Sequence, residues 1–221
     1  MVWIDFDWLK YEAEQFQGSL NHRIREAHRA AYAVLRKAHE EATEELQAEL
    51  NSATDDESRE LTSQVIDYEE LRWIWQTEAL AAMALTLLAS RTESFLNEHW
   101  HRFDKTHPPD SERSKRGSKL LKMVRKYRTR FNVDLETICG FETVREVVLA
   151  RNCCVHNGNS PDKDYKTQST TKRLLSTTGN INLTPEDLDI IIGELSEFGK
   201  SLAGLLSEIS KRGAGESVPS S

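Results

Sequence analysis

The sequence predicts an all-α protein: an up-and-down helical bundle with a long N-terminal antiparallel helical hairpin. Three observations predict it. The first hundred of its 221 residues contain one glycine, Gly18, and no proline, so little there interrupts a helix. Apolar and alanine positions recur at helical spacing over 8–50. Helix breakers gather later, at His107-Pro108-Pro109, Gly158 and Pro161.

The first helix is expected over residues 8–50. Ala13, Ile24, Leu35 and Leu46 are spaced by eleven, as are Phe16, Ala27 and Ala38, and Leu20, Ala31 and Ala42. An eleven-residue repeat gives a nearly straight helix with a narrow seam. That seam serves either a helix of the same chain or an intermolecular coiled coil. Residues 51–56 read as a turn, and Thr54 with Glu57 forms a capping-box pattern that starts a second helix. This helix meets no breaker before His107, and its 79–89 stretch is apolar apart from Thr86. Apolar character all round predicts a central place in the bundle. Residues 104–118 read as a linker, and 158–183 as polar and irregular with a small β-hairpin around Gly179-Asn180. Thr184-Pro185-Glu186-Asp187 starts the last helix, expected to reach Lys211. The expected organisation is a helical extension over 1–70, a bundle over 71–211 and a disordered tail over 212–221.

The net charge of −7 hides a local reversal. Residues 111–130 hold Arg113, Lys115, Arg116, Lys119, Lys122, Arg125, Lys126, Arg128 and Arg130 against the single acid Glu112. Leu120, Leu121, Val124 and Tyr127 give this stretch an apolar helical face. It reads as a phosphate-tracking surface for RNA, or as a solvated face or an electrostatic dock for the acidic 40–70 region. Cys139, Cys153 and Cys154 match neither a metal-ligand spacing nor a disulfide framework. A reducing cytoplasm is therefore expected, with the two vicinal thiols read as buried apolar side chains. No signal peptide is read at the N-terminus. The 79–89 run is shorter than the roughly 20 residues that span a bilayer, so no membrane association is expected.

Chemistry concentrates in one stretch. Arg151-Asn152-Cys153-Cys154-Val155-His156-Asn157 closes an apolar helix that starts near Phe141. Histidine exchanges protons near neutral pH, and arginine binds phosphate and steadies charge building on it. Asparagine can orient either. Five residues along a helix set Arg151 and His156 about 140° apart, so a site using both needs a frayed helix end or a second copy related by a two-fold axis. Glu93 is either a solvated or ion-paired glutamate or a carboxylate reaching Arg151. No ligand spacing calls for a metal or other cofactor.

The R-N-x-x-x-H-N pattern resembles the R-x4-H hallmark of the HEPN superfamily. Arg151, Asn152, His156 and Asn157 match it, and the Ser90-to-Trp100 segment "SRTESFLNEHW" looks like a bundle helix of such proteins, with Glu93 at a recurrent acidic position. The resemblance covers about residues 75–210. It implies a homodimer with a composite cleft, acting as a metal-independent endoribonuclease that leaves a 2′,3′-cyclic phosphate. Arg151, His156 and Asn152 would be catalytic, with Asn157 and Glu93 in support. Relatives act as toxins or in anti-phage defence, some with an antitoxin or defence partner. Others only bind nucleotides, RNA or proteins. Residues 8–70 depart from a minimal domain of that kind, and a helical scaffold remains the third reading.

Overall fold

The computed structural model describes residues 6–103 and 119–215, with side chains placed over 8–101 and 119–211. Among the described residues the chain is a helical bundle without strands. The expected linker, and with it Arg113, Lys115 and Arg116, lies outside them.

The first helix runs as α1 (Phe6–Gly18), a π-helical stretch Ser19–Arg25 and α2 (Glu26–Ser52). The wider π turn matters for register. It keeps residues four apart in line, so Phe16, Leu20, Ile24 and His28 are buried in succession. The eleven-residue repeat is thereby broken. Ala27 and Ala38, expected on the seam, are exposed, while His28 and His39 take the inward places. Ala53 leaves the helix in an extended conformation. The next cap is Asp55 rather than Thr54: its carboxylate accepts from the Ser58 backbone N–H at 2.7 Å and from its hydroxyl at 2.8 Å.

Helix α3 (Asp56–Phe103) is 48 residues long and is the spine of the fold. Its first half pairs with α2 as the expected hairpin. Its second half is packed by α1, α4 (Lys119–Phe131) and α5 (Phe141–Asn157), and α7 (Pro185–Gly215) packs on α1 and α5. The sequence grouped residues 1–70 as an extension, but Leu9, Ala13, Phe16, Leu20 and Ile24 are in the bundle core. Phe16 stacks on Phe95 at 4.4 Å, over Gly199, where an added Cβ would meet the Phe16 ring at 2.8 Å.

The expectation that 79–89 is buried on all sides fails. Ala81, Ala84, Leu85, Leu88 and Ala89 are buried, but Ala79, Met83 and Leu87 face solvent. Helix α3 therefore has two apolar faces, one packed and one open. By length and composition it could cross a bilayer, with mean hydropathy 1.2 over its most apolar 18-residue window, but half of that window is buried inside the fold.

Two smaller differences follow local chemistry. Helix α6 (Lys163–Gln168) forms within the stretch read as irregular, because Asp162 caps it by accepting from the Tyr165 N–H at 2.7 Å. The expected β-hairpin reduces to one antiparallel bridge, Leu175 to Ile181, closed by a turn with Gly179 at φ 82°. Helix α7 starts as read, with Thr184 and Asp187 capping each other. It continues to Gly215, past the expected end; 216–221 lie outside the described residues.

Two tests follow. Leu85 is fully buried, so Leu85→Asp should abolish the cooperative thermal transition, because an unpaired charge would enter the core. A soluble variant with wild-type melting would contradict the packing. His99 is also fully buried; its Nδ1–H donates to the Phe95 carbonyl at 2.8 Å, and Nε2 has no partner among the described residues. Burial holds its pKa down to about 4, with a smaller push from Arg91. The folded state thus keeps the ring neutral while the unfolded chain protonates it. Stability should fall as pH drops below about 6.5 and keep falling to about 4, by up to roughly 3 kcal/mol. His99→Phe should remove that part of the slope in denaturant titrations across this range.

Candidate functional site

The site is built on α5, and α5 is fixed at both ends. Gly140 precedes it at φ 83°, against the Glu194 carbonyl, where a Cβ would come within 2.4 Å. Gly158 ends it in the left-handed region at φ 54°. Between them Phe141, Val144, Val147, Val148, Ala150 and Cys153 are buried. The expected span of this helix matches the observed one.

Glu146 interrupts this apolar run and is itself 1% exposed. Its Oε1 accepts from the Tyr165 hydroxyl at 2.9 Å, the Ser169 hydroxyl at 3.3 Å and the Leu174 N–H at 3.4 Å, and Oε2 accepts from Thr171. One buried carboxylate thus pins residues 165–174 onto α5. Burial, with Glu146 alongside, pushes the Tyr165 phenol far up. The sequence reading missed this hub, although an acid inside Val144–Leu149 was a visible signal. It also missed Glu78 of α3, which accepts from Asn159 at 3.4 Å and Asn180 at 2.9 Å and so ties the loop after α5 to mid-α3.

Glu93 joins the motif to the basic stretch. It is 6% exposed and accepts from Arg151 at 3.1 Å and from Lys119 at 2.8 Å, one carboxylate oxygen for each. Glu93 is thus ion-paired and reaches Arg151 at once, so the two readings of it meet in one contact. Lys119 opens α4 and projects to solvent, while Arg151 is mostly covered. Two cations on one carboxylate leave a net positive charge at this point of the surface.

Asn152 is half-buried, and His156 and Asn157 are exposed on the last turn of α5. None of their side chains makes a hydrogen bond among the described residues. Arg151 and His156 diverge around the helix, as the 140° spacing requires. Cys153 is buried and Cys154 half-buried; burial raises both thiols, Cys154 to about 12, with Cys153 and Glu78 adding to it. Neither is a ready nucleophile. Among the described residues no group of three His, Cys, Asp or Glu is placed to hold a metal ion.

Helix α4 buries Leu120, Met123, Val124 and Tyr127, while Leu121, read as part of that face, is exposed. The Tyr127 hydroxyl donates to the Leu96 carbonyl at 2.9 Å, and Lys126 lies 5.4 Å over the Trp100 ring. The acids that meet Lys119 and Arg128 are Glu93, Asp134 and Glu136, none of them in 40–70. Arg125 and Arg130 are exposed, and Lys122 half-exposed. The chain matches no family model, no curated protein and no solved structure.

Replacing Glu93 with Gln should therefore unsettle α4 and α5 together. The expected loss is about 1–3 kcal/mol, less than for a fully buried pair because Lys119 can turn to solvent. Amide exchange should speed up at both Lys119–Val124 and Ala150–Cys153. Faster exchange in only one segment would mean that the carboxylate does not couple them.

Proposed function

We propose that this protein is a metal-independent endoribonuclease that works as a homodimer. The observation that carries the reading is the grouping of Arg151, Lys119 and buried Glu93 on one flank of α5, about a turn and a half before the exposed His156. Arg151 binds the scissile phosphate and steadies the charge that builds on it. Lys119 with Lys122, Arg125, Lys126 and Arg130 follows the flanking phosphates, and Arg113, Lys115 and Arg116 extend that basic run in sequence. His156 takes the proton from the ribose 2′-hydroxyl. The freed oxygen attacks the adjacent phosphorus, the bond to the 5′-oxygen breaks, and that oxygen takes a proton from water as it leaves, while the His156 imidazolium returns its proton to solvent. The products are a 2′,3′-cyclic phosphate and a 5′-hydroxyl. Asn152 and Asn157 are placed to orient the phosphate or the imidazole. The setting we propose is a cytoplasmic toxin or anti-phage effector, held by an antitoxin or defence partner.

One observation favours a second reading, a HEPN-like module that binds RNA or nucleotides without cutting. His156 makes no hydrogen bond among the described residues that would fix its tautomer, unlike a histidine oriented by a carboxylate.

Cleavage separates the two. Purified protein incubated with total RNA in excess EDTA should release fragments ending in cyclic phosphate. His156→Ala should lower the cleavage rate about 100- to 10,000-fold while melting and RNA affinity stay near wild type. Wild-type protein that binds RNA but never cuts it, with or without metal, would leave the binding module.

A further inference from the structure

Helix α3 shows solvent an apolar line that no other element covers among the described residues. Tyr68 is 56% exposed, Trp75 58% and Met83 65%, and Ala79 is exposed between the last two. At about 100° per residue these four lie within roughly 40° of one another's mean direction. Leu71 and Leu87, 48% and 52% exposed, border the line on opposite edges. Exposed apolar area of this extent marks a contact surface.

The line is symmetric about Ala79. Trp75 and Met83 stand four residues to either side, Leu71 and Leu87 eight, and Tyr68 and Ser90 eleven. A two-fold contact between identical helices requires this kind of self-complementarity. It also matches by volume: a second copy laid antiparallel sets Ala79 against Ala79, Trp75 beside Met83, and Tyr68 beside the small Ser90.

We propose that a second copy of this chain docks antiparallel along this face of α3, with the two-fold axis at Ala79. A standard specific interface covers on the order of 800 Å² per chain, which calls for a face that runs most of the length of the exposed line. Leu61 and Val65, 66% and 40% exposed, carry the same line toward the hairpin tip.

Charge supports this orientation. Residues 40–70 hold twelve acids and one base, Arg59, while α4 holds six bases and no acid. In one chain these regions sit toward opposite ends of the 48-residue α3. In the antiparallel pair, residues 58–65 of one copy lie beside 93–100 of the other, where α4 docks through Glu93, Leu96 and Trp100. The acidic tip of each copy is thus delivered to the basic helix of its mate. A parallel pair would set acid against acid.

The docking also reaches the motif. Glu78, next to the axis, holds Asn159 and Asn180, just past the end of α5. Glu78, Glu93, Leu96 and Trp100 all fall between about 40° and 100° to one side of Ala79. An antiparallel two-fold pair keeps like flanks on the same side, so the two α5 ends, with exposed Val155 and His156, approach each other. The pairing stands whether or not the cleft cuts RNA, and its test needs no cleavage.

The test is cross-linking in a Cys139→Ser background. Ala79→Cys sits on the axis and should give a covalent dimer on mild oxidation, whereas Val34→Cys, on the exposed face of α2, should stay monomeric. Sedimentation equilibrium on Trp75→Glu and Met83→Glu should show the dimer dissociation constant raised about 100-fold or more, with helical content unchanged because both side chains are exposed. Raised salt should weaken the wild-type dimer. The proposal is overturned by a wild-type monomer at every soluble concentration, by a dimer that cross-links at Val34 as readily as at Ala79, or by a monomer that floats with phosphatidylglycerol vesicles unless Met83 is Glu.

Discussion

The ion pairs of Glu93 hold the arrangement together. A carboxylate 6% exposed in a helical core has to be matched by charge or hydrogen bonds. Here it is matched by two cations from two other helices, Arg151 of α5 and Lys119 of α4. That single requirement sets where α4 starts relative to the motif and which way Arg151 points. It also turns a cost of burial into positioning. Arg151 reaches the surface with its direction fixed, and Lys119 adds a mobile charge beside it. Glu146 does the equivalent for the loop after α5, with four donors and no cation.

Much of the fold was legible because it depends on local signals. The scarcity of glycine and proline, the Thr184-Pro185 start and the Gly158 stop are written in adjacent residues, and the helices over 56–103, 141–157 and 185–215 follow them. The misreadings share a different cause. The π-helical stretch at Ser19–Arg25 has no sequence mark, and it moved the inward stripe from Ala27 and Ala38 to His28 and His39. Residues 79–89 are apolar enough to be buried, but whether a second apolar face meets this chain or another depends on tertiary packing. The Arg151–Glu93 contact was one of two readings and needed the crossing of α5 over α3 to be seen. Lys119 was read as one cation of nine, and only the fold brings it to the motif.

The long α3 gives the molecule its unusual division. Its C-terminal half is an ordinary bundle core with Leu85, Leu88 and Phe95 fully buried. Its N-terminal half pairs mainly with α2 in a thin hairpin, whose 40–70 stretch carries twelve acids against one base and whose α3 side shows a line of exposed apolar side chains. A two-helix arm of this kind buries little of its own surface, so a role in contact with another molecule accounts for its composition better than a role in the core does. Antiparallel pairing would place the arm of one copy along the basic flank of the other and bring two motif ends to one side.

The central claim is that a working centre draws its arginine and its histidine from two copies. Mixing the separately inactive Arg151→Ala and His156→Ala proteins, under conditions of verified subunit exchange, tests it most directly. Each heterodimer would hold one centre with Arg151 from one subunit and His156 from the other. Metal-free cleavage of RNA by the mixture, at up to about half the specific activity of a wild-type dimer per heterodimer, is the result predicted here. Complete exchange with no recovered cleavage, from a wild-type protein that does cut, would contradict it.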